Sequence, residues 1–401
     1  MKSKSPIFVL FITILIDLLG FGLIIPILPI FAIELKATSL QIGFIAGLYS
    51  LMNFIFAPFW GTLSDKIGRR PVMLLSIMVT MLAYVFFAFT HNLTFLIISR
   101  IFAGIGSANI SAAQAYIADI TEPKDRAKNM GLIGAAFGLG FIFGPPVGGY
   151  LKSISGPGSV DFVGYVAAGL CAFNLLLAYF YLPESIKHKQ PAKTFRFRPI
   201  TDLIFELKKP VISELFVINF IFICAFSMMQ ITASILWIDR YLFNEKQVGF
   251  VFMFIGLTSA IVQGGFVGKL TKTFGEKKLL LIGSILMVIG LGTLPFAPVD
   301  MFYLQLVSLT CIALANGCIT PSLSSLLSQT AGSNEQGQVL GMNQSFGSLA
   351  RVAGPALGGL LYDVHFTLPY ITGGVMMLFT YWLAKVLVIR LKNKEIEKPI
   401  L

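Results

Sequence analysis

FGLGFIFGPPVGG fills residues 137–149, and seven of its thirteen residues are glycine or proline in an otherwise apolar run. In a water-soluble helix each glycine costs about 1 kcal/mol and each proline about 3 kcal/mol relative to alanine. A bilayer changes that balance, because the backbone has no water to turn to and neighbouring helices pack close against the bare chain. The stretch also has a twin. FGSLARVAGPALGG (346–359) sets Gly354-Pro355 over Gly144-Pro145 and Gly358-Gly359 over Gly148-Gly149, at an offset of 210 residues. FWGTLSDKIGRRPVMLLS (59–76) answers FVGKLTKTFGEKKLLLIG (266–283) at an offset of 207, with Gly61 over Gly268, Gly68 over Gly275 and Arg70 over Lys277. Two matches at nearly one offset, both keeping the same side of the membrane, imply parallel repeats related by an axis along the membrane normal, and a transporter with its site between the halves.

Composition agrees with a membrane solvent. Hydrophobic residues make up 56 % of the 401-residue chain, charged residues 12 %, and 37 residues are phenylalanine; mean hydropathy is +0.82. Scanning for nearly uncharged runs of about 20 residues, the length that crosses roughly 30 Å of hydrocarbon, gives twelve spans. They lie near 6–33, 41–62, 71–90, 93–117, 127–151, 160–182, 211–238, 246–270, 276–296, 300–328, 336–361 and 366–390. Lys2 and Lys4 precede the first, but its length, Asp17 in its middle and the lack of a small-residue cleavage pattern make it a retained span rather than a signal peptide.

The basic residues set the orientation. Of 30 lysines and arginines, Lys36, Lys152, Arg240 and Lys246 fall on the outer side when both termini are cytoplasmic, Arg100 and Arg351 lie deep in spans, and the others collect on the inner side. Topology thus accounts for the net charge of +11, and no nucleic-acid partner is implied. The expected organisation is an all-α membrane protein of twelve transmembrane helices in two parallel six-helix repeats: an N-terminal half over 1–182, a basic cytoplasmic linker over 183–210, a C-terminal half over 211–390 and a cytoplasmic tail over 391–401. Its partners are the lipid bilayer, a small-molecule substrate and protons, and a monomer is expected.

Three motifs resemble those of the major facilitator superfamily, and of its drug/proton antiporter branch that includes the tetracycline exporters. Gly61-Thr-Leu-Ser-Asp65-Lys-Ile-Gly68-Arg69-Arg70 is similar to the superfamily's loop between spans 2 and 3. Arg100-Ile-Phe-Ala-Gly104 is similar to the span 4 motif, and Gly138 to Gly149 to the span 5 motif associated with antiporters. IDLLGFGLIIPILP (16–29) also resembles the first span of tetracycline exporters. The resemblance covers essentially the whole chain. It implies the major facilitator fold, export of amphipathic organic compounds by proton antiport, and a bacterial plasma (inner) membrane location. It further implies that Asp65 clasps the start of span 11 in one state, together with Arg69 and Asp119. Tetracycline exporters carry further acids in spans 3 and 9, which this sequence lacks, so tetracycline itself is a poor candidate cargo.

The residues carry their own chemistry. Asp17 is the only acid deep within a span, and counting about 1.5 Å per residue puts it within roughly 4 Å of the depth of Arg100. A mid-membrane arginine costs about 2.5–3.5 kcal/mol, so it needs a partner or a water cavity. The two are read as a proton-coupling pair, with a purely structural ion pair as the alternative. Arg100, Gly104, Ser107, Ser111 and Gln114 share one helical face, which for the small residues is equally a packing face. Arg351 shares a face with Gln344, Gly347, Ser348 and Pro355; it binds an anionic cargo group or lies against carbonyls and water. Asn219, Phe226, Gln230 and Trp237 form a candidate substrate wall, with Trp237 open to an interfacial reading. Gly61, Asp65, Arg69, Asp119, Gly144, Pro145, Gly354 and Pro355 are the candidate gating residues. Solvated loop charge is the plainer reading of Asp65 and Asp119, and Gly144-Pro145 and Gly354-Pro355 are expected to bend spans 5 and 11. The four cysteines lie in apolar spans and no histidine has metal-ligand spacing. No phosphate-cradling loop is present, so no cofactor is expected and ATP-driven transport is excluded. An importer of a small organic anion and a non-transporting receptor remain as alternative functions.

Overall fold

The computed structural model describes residues 6–107, 109–121, 123–185, 210–331 and 336–396. Among them the regular structure is helical. The first run breaks at residues 25–26, where Pro26 interrupts it, giving α1 (Pro6–Ile24) and α2 (Ile27–Glu34). Then follow α3 (Ser39–Ile67), α4 (Arg69–Ala88), α5 (Leu93–Gly106), α6 (Asn109–Ile120), α7 (Pro123–Ser155) and α8 (Asp161–Tyr181). From residue 210 come α9 (Pro210–Tyr241) and α10 (Glu245–Ile261), then a π-helical turn (Val262–Phe266) leading into α11 (Val267–Thr293). The series closes with α12 (Phe302–Thr330), α13 (Gln336–Val364) and α14 (Leu368–Ile396).

Local sequence explains the starts and stops. Thr38 and Gln41 form a reciprocal capping box at the start of α3, with Thr38 N–H on Gln41 Oε1 at 3.0 Å and Gln41 N–H on Thr38 Oγ1 at 3.3 Å. Asn244 and Gln247 repeat the arrangement at the start of α10, at 2.9 and 3.0 Å. Gly68 separates α3 from α4 at φ 112°, ψ 156°, and its repeat counterpart Gly275 bends α11 at φ 75°, ψ 157°. Only glycine adopts such angles without strain, so the two loops share a backbone device as well as a sequence.

Eight helices among the described residues are long and apolar enough to cross a membrane, the first being α1 and α2 taken together. The other expected spans fall on α5 with α6, on α7, on α10 and on α13. These are shorter or carry more glycine and polar residues, which dilutes their hydropathy.

The chain divides into two compact units: Met1–Phe197 with Trp237–Gly256, and Arg198–Leu236 with Leu257–Leu401. In the first, α1 packs on α7 and α8, α4 on α5 and α8, and α3 on α5. In the second, α11 packs on α12 and α14, and α9 meets α13. The opening glycines make the first of these contacts. A Cβ on Gly144 would lie 2.6 Å from the Gly22 backbone of α1, and one on Gly140 2.8 Å from the Leu18 carbonyl. Gly148 meets Leu23 in the same way. Their four-residue spacing keeps them on one face of α7, and α1 and α7 touch backbone to backbone. The repeat copies this seam: Gly354 abuts Cys224 and Ser227 of α9, and Gly358 abuts Met228. Pro145 and Pro355 are both buried inside their helices. The C-terminal half of α7 also meets α10, where a Cβ on Gly249 would lie 2.6 Å from the Pro145 carbonyl and one on Gly256 2.8 Å from that of Phe141.

Candidate functional site

Asp17 sits midway along α1 and is half-buried. Asn174 of α8, itself fully buried, donates from Nδ2 to Asp17 Oδ1 at 2.8 Å and to the Thr13 carbonyl at 3.0 Å. A hydrogen bond to a carboxylate is stronger than one between neutral groups, so Asn174 favours the ionised acid without adding a charge. Arg100 of α5 is 4 % exposed, and its guanidinium carbon stands 4.7 Å from the centre of the Phe87 ring on α4. Its Nε reaches Ser99 Oγ at 3.4 Å, and its Nη2 is buried with no hydrogen-bond partner among the described residues. A desolvated cation–π contact contributes about 2 kcal/mol, which offsets most of the 2.5–3.5 kcal/mol that placing an arginine there costs. Asn174 thus stands against Asp17, and Phe87 against Arg100. Tyr84 of α4 lies within electrostatic reach of both charges. Neither Asn174 nor Tyr84 stood out in the sequence: one is an asparagine in an apolar span, the other an aromatic in a chain full of them.

The stripe below Arg100 divides by role. Gly104 packs against α3, where a Cβ would come within 2.6 Å of Met52, and Ser107 Oγ accepts from Asn53 at 2.7 Å. Both are packing residues. α5 ends at Gly106, the side chain of Ser111 lies outside the described residues, and Gln114 is exposed on α6.

Where the C-terminal ends of α3 and α6 meet the start of α4, Arg69 holds two acids. Its Nη1 is 2.6 Å from Asp65 Oδ1, its Nε is 3.0 Å from Asp119 Oδ2, and Ser185 Oγ donates to the same Asp119 oxygen at 3.0 Å. Gly61, one turn before Asp65, has open space where a Cβ would go. Sequence reading missed Glu184, whose carboxylate accepts from the backbone N–H of Arg69 at 2.9 Å and of Arg70 at 3.2 Å. It caps the free N–H groups and the positive dipole end of α4, and it fills the space beside Gly68. An acid immediately after span 6, facing a basic loop, was the available signal. In the second unit Glu276 occupies the repeat position of Arg69 and accepts from Ser325 at 3.0 Å and Gln329 at 3.2 Å. Gln329 lies 210 residues after Asp119, so the charged pair of one repeat becomes an acid with neutral donors in the other.

The second unit's polar residues lie on α9 and α13. Asn219, 6 % exposed, donates to the Asn343 carbonyl at 3.2 Å, and Arg351 Nη2 reaches Ser348 Oγ at 3.3 Å. The guanidinium of the half-buried Arg351 and the side chain of Ile223 of α9 both lie beside Gly347. Gln230 is half-buried and Gln344 exposed. Phe226 stacks with Phe222 at 6.3 Å. Trp237 is fully buried, edge-on to Phe252. Lys152, which the sequence places among outer-side charges, is 1 % exposed: its Nζ donates to both Glu34 oxygens at 2.8 and 2.9 Å and to the Gly156 carbonyl at 3.0 Å.

Apolar helices in two copies of one pattern, a half-buried acid and a buried arginine in the first copy, and glycine seams in both define a membrane transporter. The family model for the Major Facilitator Superfamily matches residues 10–355 and 215–399. The chain is 33 % identical to the class C tetracycline resistance protein of Escherichia coli, over 90 % of this chain and 91 % of that one. It is 29 % identical to multidrug resistance protein 2 of Bacillus subtilis, over 94 % of each. The crystal structure of the human organic anion transporter MFSD10 superposes with a TM-score of 0.71 at 27 % identity, covering 96 % of this chain and 100 % of that one. The chain belongs to the Major Facilitator Superfamily: it is a multi-pass membrane transporter of small molecules, not an enzyme.

Proposed function

We propose that this protein is a proton-coupled exporter of amphipathic organic compounds, a monomer working by alternating access in a bacterial plasma membrane. Its twelve spans form six-helix halves over 1–182 and 211–390, joined by the cytoplasmic linker 183–210. The observation that carries the reading is Asp17, the sole acid deep in a span, half-buried under a neutral asparagine donor with a buried arginine in the same helix cluster. In this reading Asp17 takes a proton from one side and releases it to the other, while cargo moves the opposite way. Similarity to drug-resistance proteins supports the direction. Asp17→Asn protein in proteoliposomes is expected to fold and bind cargo but to lose uphill transport driven by a pH difference alone. Retained uphill transport refutes the reading.

A second reading, an organic anion as cargo, is favoured by Arg351 and by the likeness to a human organic anion transporter. If Arg351 holds an anionic group, Arg351→Lys keeps the charge but loses the planar fork. Cargo affinity is then expected to fall in the order wild type, lysine, glutamine. Equal affinity in the lysine and glutamine variants assigns Arg351 a structural role.

A further inference from the structure

Tyr84 of α4 is a buried side chain that packs against α1 one turn beyond Asp17. It is 3 % exposed, and its ring tip rests on α1 at Gly20, where a Cβ would stand 3.2 Å from Tyr84 Cε2 and 3.4 Å from the hydroxyl oxygen. Gly20 lies three residues beyond Asp17, on the same face of α1. Toward α5, Tyr84 and Phe87 are likewise three residues apart on one face of α4, and Phe87 carries the Arg100 guanidinium. Asp17 and Arg100 both act on the phenol. Cys171 and Asn174 of α8, Ser99 of α5 and Tyr49 of α3 also face the cluster, while α7 presents glycine to α1. Arg100 Nη2 is a buried donor lacking a hydrogen-bond acceptor among the described residues. A phenol donates to a carboxylate and accepts from a guanidinium at the same time, which a phenylalanine ring does not.

We propose that Tyr84 is a positioning residue of the coupling site, its hydroxyl donating to ionised Asp17 and presenting its lone pairs to Arg100, so that the charge state of Asp17 is passed to Arg100. The proposal rests on Asp17 being the proton carrier. No proton is transferred to or from the phenol. Its O–H bond to the carboxylate forms when Asp17 is ionised; when Asp17 takes up a proton the hydroxyl turns, and Arg100 loses that acceptor.

The test needs no cargo. Purified full-length protein in lipid nanodiscs is titrated while the carboxyl carbonyl stretch is followed by infrared difference spectroscopy, and the Asp17 band is assigned by its loss in Asp17→Asn. Tyr84→Phe removes one donor to the ionised acid and is expected to raise the midpoint of that band by about one pH unit, a tenfold change in proton affinity. Arg100→Gln is also expected to raise it. The double variant should shift by less than the sum, because the influence of Arg100 passes through the hydroxyl. Gly20→Ala, which crowds the ring tip but keeps the hydroxyl, should move the midpoint in the same direction by less, and serves if Tyr84→Phe does not fold. A tyrosine serving only to fill space would change thermal stability and leave the midpoint in place. A titrating Asp17 whose midpoint is unmoved by Tyr84→Phe overturns the proposal alone. The absence of any band lost in Asp17→Asn overturns it together with the functional reading.

Discussion

Gly138 and Gly144 stand six residues apart in one helix and one motif, yet alanine is expected to act on them oppositely. A Cβ on Gly138 meets nothing within 4 Å, whereas on Gly144 it meets the Gly22 Cα and carbonyl carbon at 2.6 Å and the Leu23 nitrogen at 3.0 Å. Ordinary contact begins near 3.4 Å, so α1 and α7 must part by about 1 Å, and because the obstacle is backbone no rotamer change relieves it. Gly→Ala raises helix propensity by about 1 kcal/mol at both sites, and that gain cancels in the comparison. What is left is overpacking, about 1–3 kcal/mol, with a backbone–backbone clash at the upper end. Gly138→Ala should therefore be as stable as the wild type or about 1 kcal/mol more so, and Gly144→Ala about 3 kcal/mol less stable than Gly138→Ala, roughly a hundredfold in the folding equilibrium. Reversible unfolding by sodium dodecyl sulfate in mixed micelles reads the difference directly. Transport by the two variants in proteoliposomes should rank the same way. Equal stability of the two proteins would refute the seam as the reason for glycine here and leave the motif as a tolerated bend.

Two further outcomes follow from the ion pairs. Lys152→Met leaves Glu34 with the Gly158 N–H as its remaining described donor and should cost about 3 kcal/mol, the low end of the range for breaking a buried pair, since Glu34 keeps some water contact; adding Glu34→Gln should restore most of it, and an additive loss would contradict a direct pair. Asp65 is 58 % exposed and Arg69 keeps Asp119, so Asp65→Asn should change stability by about 0.2–1 kcal/mol at most while altering how readily cysteines introduced on each side react with thiol reagents; unchanged labelling from both sides would remove Asp65 from the gate.

The sequence by itself determined the solvent, the repeat and the one acid. Composition and run length require a bilayer, because no soluble fold buries so much apolar surface with so little charge. The paired glycine motifs mark equivalent helices, and Asp17 is conspicuous because a carboxyl deep in hydrocarbon is expensive. Even the α1–α7 seam was latent in the four-residue spacing of Gly140, Gly144 and Gly148. Which helix they meet was not, since periodicity selects a face and not the neighbour that covers it. The partners of the buried charges were equally out of reach. Lys152 and Glu34 are 118 residues apart, Asn174 and Asp17 are 157 apart, and Lys152 reads as one more loop charge until the packing of α2 against α7 removes it from water. Whether a charge is solvated, paired or laid over an aromatic ring depends on short-range contacts between elements distant in sequence, and those distances are fixed only when the helices pack.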